Sequence, residues 1–522
     1  MRRPLEICFC VLMSIQVLSV WIVRYYPSND GPSHLYNAAV LANYNRVPAY
    51  REFYSISVSP AGNFLAQLLQ SGLLKIAGEV AAEKLLLTFY IVLLPLSFRY
   101  LLATVTAELG PFVLCGLVFL PNFFFYMGFW NFCLSIPLLL FALAHFRRKR
   151  CHWTWGSVIA FGVLSFLTYS AHPLSWAVLS MLIGLDVLVG VRCQWKLNGW
   201  APAWRSAAVG LITVNLPALL VVGYLGSVGG GLEFGGTARE RAAPLYGAGF
   251  LRGLGSIDRW LSTAFVVVVL MLACRAVQFR LREWRPRSAD AFLLFGVALA
   301  VVSVCGPSEA ASGAYVRGRL ALYAWMFFVI WLASAQWSLR IRAVLGVALG
   351  ALVVAALISH LPAEAAWNEQ LAEYASARRF IVPGSTILPI QMESQFPRAD
   401  PMAHAVDLLA LGGSIDLFNY EALLPYFSIQ FRPDRTPIDR LVHRGQSESS
   451  ELVLDIDRYE KTTGKHVDYV LAYGGAGAPE LQRYGEQLAG FEEIYVSQPR
   501  GQIRLYQRRQ LRRARWLNAI NK

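Results

Sequence analysis

Charged residues are scarce in this chain: Asp, Glu, Lys and Arg make up 15% of its 522 residues, against 56% hydrophobic and 13% aromatic. A soluble domain needs roughly a quarter of its residues charged to cover its surface. The composition therefore excludes an ordinary soluble enzyme, and a mean hydropathy of +0.44 points to a polytopic membrane protein. Acids are the rarer sign, 33 against 47 Lys and Arg, which leaves a net charge of +14. The bases sit in short clusters between hydrophobic segments, so they read as topology signals, and no nucleic-acid partner is expected. Cysteine is absent beyond Cys305. Cys8, Cys10, Cys115, Cys133, Cys151, Cys193, Cys274 and Cys305 show no metal-ligand spacing, and an outer C-terminal segment would fold without disulfides. The glycine-rich stretch 226–236 lacks the Gly-Lys-Ser/Thr ending of a P-loop and reads as a loop free to cover a substrate. No small-x-small cleavage site follows Met1-Arg2-Arg3 and the apolar run to Val23, so this segment reads as a retained anchor. No internal repeat is evident.

What is present is a series of apolar runs. A spanning helix needs about 20 residues, and about eleven runs fit that template: 6–24, 84–105, 111–128, 130–146, 153–171, 173–191, 206–226, 260–278, 290–306, 319–337 and 343–361. Short cytoplasmic loops carry Lys and Arg. With the N-terminus inside, Arg147-Arg148-Lys149-Arg150, Arg192 to Arg205, Arg275 to Arg287 and Arg340 to Arg342 all fall on the cytoplasmic side. Residues 25–83, 227–259 and the segment from Pro362 onward are then outside.

Residues 25–83 are too polar to span. Leu35, Ala38, Ala39, Leu41 and Ala42 form one helical stripe, and Phe64, Leu65, Leu68, Leu69, Leu73 and Leu74 a second, which predicts two amphipathic helices in the membrane interface or capping the bundle. From about residue 367 the texture is that of a soluble α/β domain. Strand-like runs occur at 386–390, 467–473, 493–496 and 502–506, with helical patterns at 364–379, 403–411 and 479–488. The basic tail 508–516 suits an anionic membrane surface. The expected fold is an α-helical polytopic membrane protein, residues 1–361, with a C-terminal extracytoplasmic α/β domain, residues 362–522.

The stretch Asn29-Asp30-Gly31-Pro32-Ser33-His34 opens the first outer loop. Desolvation makes an interfacial carboxylate a stronger general base, which fits Asp30, although Asn29, Asp30 or Ser33 could equally cap the helix that follows. His34 lies one helical turn on and could orient the acid, bind an anion or contribute to a metal site. His172 and Asn131 sit at predicted outer junctions, where polar groups are costly and often functional. Arg317 and Arg319 enter the tenth span from the outside, against the positive-inside preference. A phosphate partner would hold them there; an ion pair with Glu309 or snorkelling to lipid would do so as well. Asp258 and Glu233 are alternative acids. Asp416, Tyr420, Glu421 and Arg432 form a dense polar-aromatic patch suited either to a sugar or to domain packing.

With these pieces placed, the chain resembles the GT-C superfamily of polytopic glycosyltransferases, the group that includes protein mannosyltransferases and aminoarabinose transferases. The resemblance lies in a short inner N-terminus, one span, and an outer loop opening with an acid, here Asp30, followed by two interfacial helices. The many-span bundle and an outer C-terminal domain complete it. It implies transfer of a sugar from a polyprenyl-phosphate donor to a glycan, lipid or protein acceptor on the outer face of a bacterial inner membrane. Asp30 would be the base, and Arg317 or Arg319 would stabilise the departing phosphate; from their own positions His34 is the candidate catalytic partner of Asp30, and His172, Asn131 and Glu309 are candidate substrate-binding residues. Superfamily members often carry paired acids in this loop, where this chain has Asn29 before a lone Asp30. No motif demands a cofactor, and a divalent metal stays open.

Other classes make different demands. A transporter or flippase of lipid-linked intermediates needs polar residues at the membrane midplane, and the spans here are nearly free of them, apart from Asp186 toward the inner end of the sixth. O-antigen ligases and polymerases usually place key basic and His residues in a large late loop, and 227–259 has arginines but no histidine. A non-catalytic membrane scaffold is compatible with the same pattern.

Overall fold

A computed structural model describes residues 2–57, 62–150, 152–198, 200–225, 231–283, 287–310, 313–391, 399–437, 441–444, 452–474 and 485–510. The chain divides into two compact units. The first, the bundle, comprises Met1–Ile22, Pro60–Ala66 and Lys84–Glu364; the second comprises Val23–Ser59, Gln67–Glu83 and Ala365–Lys522. By contact, most of the first outer loop thus groups with the C-terminal segment. The expected division had placed that loop with the membrane domain.

Seven helices of the described chain are long and apolar enough to cross a membrane by themselves. They include α1 (Arg2–Ile22) and α5 (Glu79–Leu102), with α2 to α4 lying between them in the first loop. Four of the five shorter apolar helical segments, 110–126, 155–171, 173–189 and 290–305, fall on the other expected spans. Every one of the runs read from the sequence is thus helical. Ile7, Val11, Ile15, Leu18 and Ile22 form an exposed stripe along α1, as expected of a helix whose outer face meets lipid rather than water.

The expected third span is a broken segment. A 3-10 turn at Gly110–Leu114 leads into α6 (Cys115–Val118) and, after Pro121, α7 (Phe123–Tyr126). Proline cannot donate to the helical ladder, and Asn122 restarts the helix by accepting from the backbone N–H groups of Phe124 and Phe125. Next come α8 (Trp130–Lys149), α9 (Trp155–Ala171), α10 (Pro173–Asn198), α11 (Trp200–Asn215), α12 (Ala218–Leu225) and α13 (Ala238–Tyr246). The bundle ends with α14 (Asp258–Glu283), α15 (Asp290–Cys305), α16 (Val316–Ala333) and the first part of α17 (Leu339–Ala375), within which the unit boundary falls. At the expected inner ends, basic residues meet acids: Arg147 and Arg150 both pair with Asp186, Arg280 with Asp290, and Arg342 with Glu108. Asp186 is therefore part of a buried ion triad and not a lone polar group within a span.

In the second unit, α2 (Gly31–Asn43) is buried from Gly31 to Val40. The stripe read from the sequence is only one of its buried sides. Its polar face (Ser33, His34, Asn37) and its apolar face (Leu35, Tyr36, Val40) are both covered, so α2 is a core helix. By contrast α4 (Leu65–Leu74) exposes Leu68 and Leu69 while burying Gln67, Gln70 and Ser71, the inverted pattern of a helix whose outer side faces an apolar medium. Between them lie α3 (Pro48–Phe53) and β1 (Tyr54–Ile56); β1 pairs antiparallel with β6 (Ile429–Phe431), Tyr54 opposite Phe431. A five-stranded mixed sheet has the order β10-β11-β9-β4-β5. Here β4 (Thr386–Gln391) runs parallel to β5 (Ile415–Asp416) and to β9 (Tyr469–Tyr473), while β10 (Phe491–Val496) and β11 (Ile503–Arg508) form an antiparallel edge. All four expected strands are present. Of the expected helix 403–411 only α18 (Asp407–Ala410) is helical; most of 479–488, part of the loop 226–236 and the tail beyond 510 lie outside the described residues.

Candidate active site

The Gly31-Pro32 start of α2 explains where Asp30 sits. Proline in the first turn needs no N–H donor, and Asp30 takes the capping position, yet its side chain makes no cap hydrogen bond. Its carboxylate is held by side chains instead. Asn29 Nδ2 donates to Asp30 Oδ1 at 2.5 Å, the Tyr420 hydroxyl bonds to Asp30, and His404 Nε2 lies 3.6 Å from Oδ1. Asn29 is itself fixed, its Oδ1 accepting from the Asp400 N–H at 3.0 Å. Asp30 is 8% exposed, so it is enclosed but reachable. Burial, together with the charges of Asp30 and Glu421, pushes the Tyr420 phenol well above its ordinary value. Burial lowers His404, whose ring lies 4.3 Å from that of Tyr420. Tyr420 thus remains a donor, and His404 a neutral imidazole, beside the carboxylate.

His34 turns away from Asp30 to a second acid. Its Nδ1 lies 2.8 Å from Glu421 Oε1, and Gln67 Nε2 donates to the other oxygen of the same carboxylate. Burial alone would lower His34, but the paired Glu421 carboxylate, with Asp30 and Glu83, more than offsets it and raises the imidazole above its usual value. Behind this pair, burial pushes Asp416 up to about 7 and, with the neighbouring Asp416 and Glu421 charges, lifts Asp407 well above the carboxylate range. The site is closed by reciprocal amides: Asn37 Nδ2 donates to Asn419 Oδ1 at 3.0 Å, and Asn419 Nδ2 to Asn37 Oδ1 at 2.9 Å. That ties α2 to α19 (Tyr420–Leu423), the helix carrying Glu421. One turn beyond Gln67 on the same face of α4, Gln70 is fully buried with no hydrogen-bond partner for its amide among the described residues.

The remaining expected site residues belong to the bundle. Arg319 Nη1 lies 3.1 Å from His172 Nε2, with its guanidinium 5.0 Å from the Phe129 ring centroid and 5.1 Å from that of Phe132. A guanidinium only donates, so His172 accepts and carries its proton on Nδ1. Arg317 donates to two backbone carbonyls, Nε to Gly306 at 3.0 Å and Nη1 to Gly235 at 2.8 Å. Its Nη2 is buried with no partner among the described residues. Two residues earlier, Tyr315 has φ of 60°, a strained entry for a non-glycine. Glu309 does not pair with Arg317. It is exposed and lies in the two-stranded pair of β2 (Leu232–Glu233) and β3 (Glu309–Ala310), opposite Glu233. Asn131 is committed to backbone, accepting from the Ala66 N–H at 2.7 Å and donating to the Asn63 carbonyl at 2.8 Å.

A third network, also in the bundle, absorbs Asp258. Asp258 Oδ2 accepts from the Gly253 and Gly255 N–H groups, His360 Nε2 lies 2.7 Å from Oδ1, and the Tyr126 hydroxyl lies 2.8 Å from His360 Nδ1 and 3.0 Å from Glu364. A Cβ on Gly253 would stand 2.2 Å from the Tyr126 ring. The loop is therefore glycine because it lies directly on this relay.

The structure brings Asp30 and His34 together with Tyr420 and Glu421 in one unit, and His172 with Arg319 in the other. His404 and Asp407 were hidden inside a run read as a plain helix; one of only eight histidines in the chain, set three residues before an acid, was the available signal. No group of three or more His, Cys, Asp and Glu side chains among the described residues is arranged to hold a metal ion.

Sequence comparison brings no match to any family model or curated protein. Comparison of structures does. The chain is similar to ArnT from Cupriavidus metallidurans in the apo state, with a TM-score of 0.52 at 10% identity over 95% of this chain and 97% of that one. It is similar also to ArnT from the same organism bound to undecaprenyl phosphate, with a TM-score of 0.54 at 10% identity and the same coverage. The chain therefore shares the fold of these ArnT structures over nearly its whole length.

Proposed function

We propose that this chain is a membrane glycosyltransferase that moves a sugar from a polyprenyl-phosphate carrier to an acceptor hydroxyl on the outer face of the membrane. The observation that carries the reading is the state of Asp30: it occupies a helix-cap position without capping, and three side chains hold its carboxylate instead. A purely structural cap would spend those oxygens on the free N–H groups of α2. The fold supports the donor class, since one ArnT structure of the same fold is bound to undecaprenyl phosphate.

In this mechanism Asp30 takes the proton of the acceptor hydroxyl as its oxygen attacks the anomeric carbon. The bond from that carbon to the carrier phosphate breaks, and the phosphate leaves with the electron pair. Tyr420 and Asn29 keep the Asp30 carboxylate aimed, and His34 acts on Glu421 as a positioning residue. In the bundle, Arg317 Nη2, buried with no partner among the described residues, suits an oxygen of the carrier phosphate; a preorganised cation of this kind contributes a few kcal/mol, roughly 2.7–4.

Incubation of the purified protein with radiolabelled polyprenyl-phosphate sugars and candidate acceptors tests the reading. Labelled product is expected from at least one such donor, and Arg317→Ala should weaken donor binding. No transfer from any lipid-linked donor, with the carrier moving across vesicles, would replace the transferase by a transporter.

A further inference from the structure

Away from the Asp30 cluster, the second unit holds a cleft of 580 Å³ whose walls include Arg24, Tyr25, Ser376, Arg378, Arg379 and Ser414. Nothing in the proposed transfer uses it. Three guanidinium groups line it, and among the described residues Arg378 alone pairs with a carboxylate, in a two-pronged pair with Glu79 at 2.6 and 2.9 Å. Arg24 lies 5.2 Å from the Tyr25 ring centroid, and Arg379 lies 4.9 Å from that of Phe380 and 5.6 Å from that of Tyr495. Neither Arg24 nor Arg379 has a carboxylate partner among the described residues. Aromatic faces hold a guanidinium in place without cancelling its charge, so among the described residues the cleft keeps two cations with no carboxylate partner.

The cleft is built rather than incidental. Asn368 Oδ1 accepts from the backbone N–H groups of both Arg24 and Tyr25, at 2.8 and 2.9 Å, which pins the segment carrying the first guanidinium. A 3-10 turn at Ser376–Phe380 sets Arg378 and Arg379, and the Ser376 hydroxyl is tied to that of Tyr495 at 2.8 Å.

Its place along the chain identifies the ligand class. Arg24 is the second residue beyond α1, which ends at Ile22, and Tyr25 is the kind of aromatic that settles at a membrane boundary. Cations held at that depth face the lipid phosphates. We propose that this cleft binds the phosphate of an anionic lipid headgroup, with Arg24 and Arg379 as its ligating cations.

Native mass spectrometry of the full chain in neutral detergent tests this, with phosphatidylglycerol, phosphatidylcholine and inorganic phosphate as probes. Wild-type protein should retain phosphatidylglycerol in preference to phosphatidylcholine. The Arg24→Gln/Arg379→Gln variant should lose one bound phosphatidylglycerol per chain, with an affinity loss of at least about tenfold because two charge-assisted contacts go, at an unchanged melting temperature since both side chains are exposed. Equal retention of the two lipids by the wild type overturns the proposal without recourse to any variant. So does phosphatidylglycerol binding unaltered in the variant. Displacement of the lipid by millimolar inorganic phosphate would assign the cleft to soluble phosphate and overturn the lipid source.

Discussion

The carboxylates near Asp30 sit in unlike environments. Asp416 and Asp407 are driven toward their neutral forms by burial, whereas Asp30 is surrounded by side chains that can donate to an anion. These environments make stability depend on pH. Asp416, Asp407 and His34 all have folded values above their unfolded ones. Each contributes stability that is complete below the unfolded value and is lost as pH rises through the folded one. His404 is lowered and has the opposite sign, but above 6.5 it is neutral in both states and drops out. The thermal midpoint is therefore expected to fall from pH 6.5 to about 8, the window in which Asp416, at about 7, gives up its proton. Asp416→Asn should flatten that slope. A midpoint that rises over this window in the wild type would contradict the assignment.

Among the elements, α2 and α19 carry the site, and the Asn37–Asn419 pair joins them. Both amides are buried, so removing one leaves the other unsatisfied at a cost of about 1–3 kcal/mol. Asn37→Ala and Asn419→Ala should each destabilise by about that amount, and the double variant by clearly less than the sum. Strict additivity in urea or thermal unfolding would show that the pair is not coupled. These elements also mark where sequence pattern stops being informative. The stripe on α2 was visible, but a helix buried on both faces needs partners for its polar face, and those lie at Asn419 and Glu421, remote in sequence. In α4 the leucine stripe was legible, whereas burial of Gln67 and Gln70 was not, because a hydropathy pattern does not say which side meets lipid. The broken segment 110–126 was read as one span since its composition is apolar throughout. Only Pro121 and Asn122 signalled the interruption.

For the whole molecule, the membrane architecture was legible because lipid imposes length and apolarity on each span. Loop charge singled out Arg147, Arg150, Arg280 and Arg342 as basic residues between spans, and each makes an ion pair with an acid at or beside a helix end. In the C-terminal segment, four strands were visible as alternating β-branched and aromatic runs, but β5 is only two residues long, too short to leave a pattern, although it carries Asp416. The Asp30 loop was found because an acid after a span is conspicuous. Its neighbours His404, Tyr420 and Glu421 come from nearly 400 residues away in sequence, and only folding unites them. The central claim is that Asp30 is the base of a lipid-dependent sugar transfer. The most direct measurement is single-turnover transfer from a radiolabelled polyprenyl-phosphate sugar by wild type and by Asp30→Asn, at matched donor occupancy. Loss of the base should lower the rate by about 100-fold or more while donor binding persists; transfer by Asp30→Asn at the wild-type rate would contradict the claim.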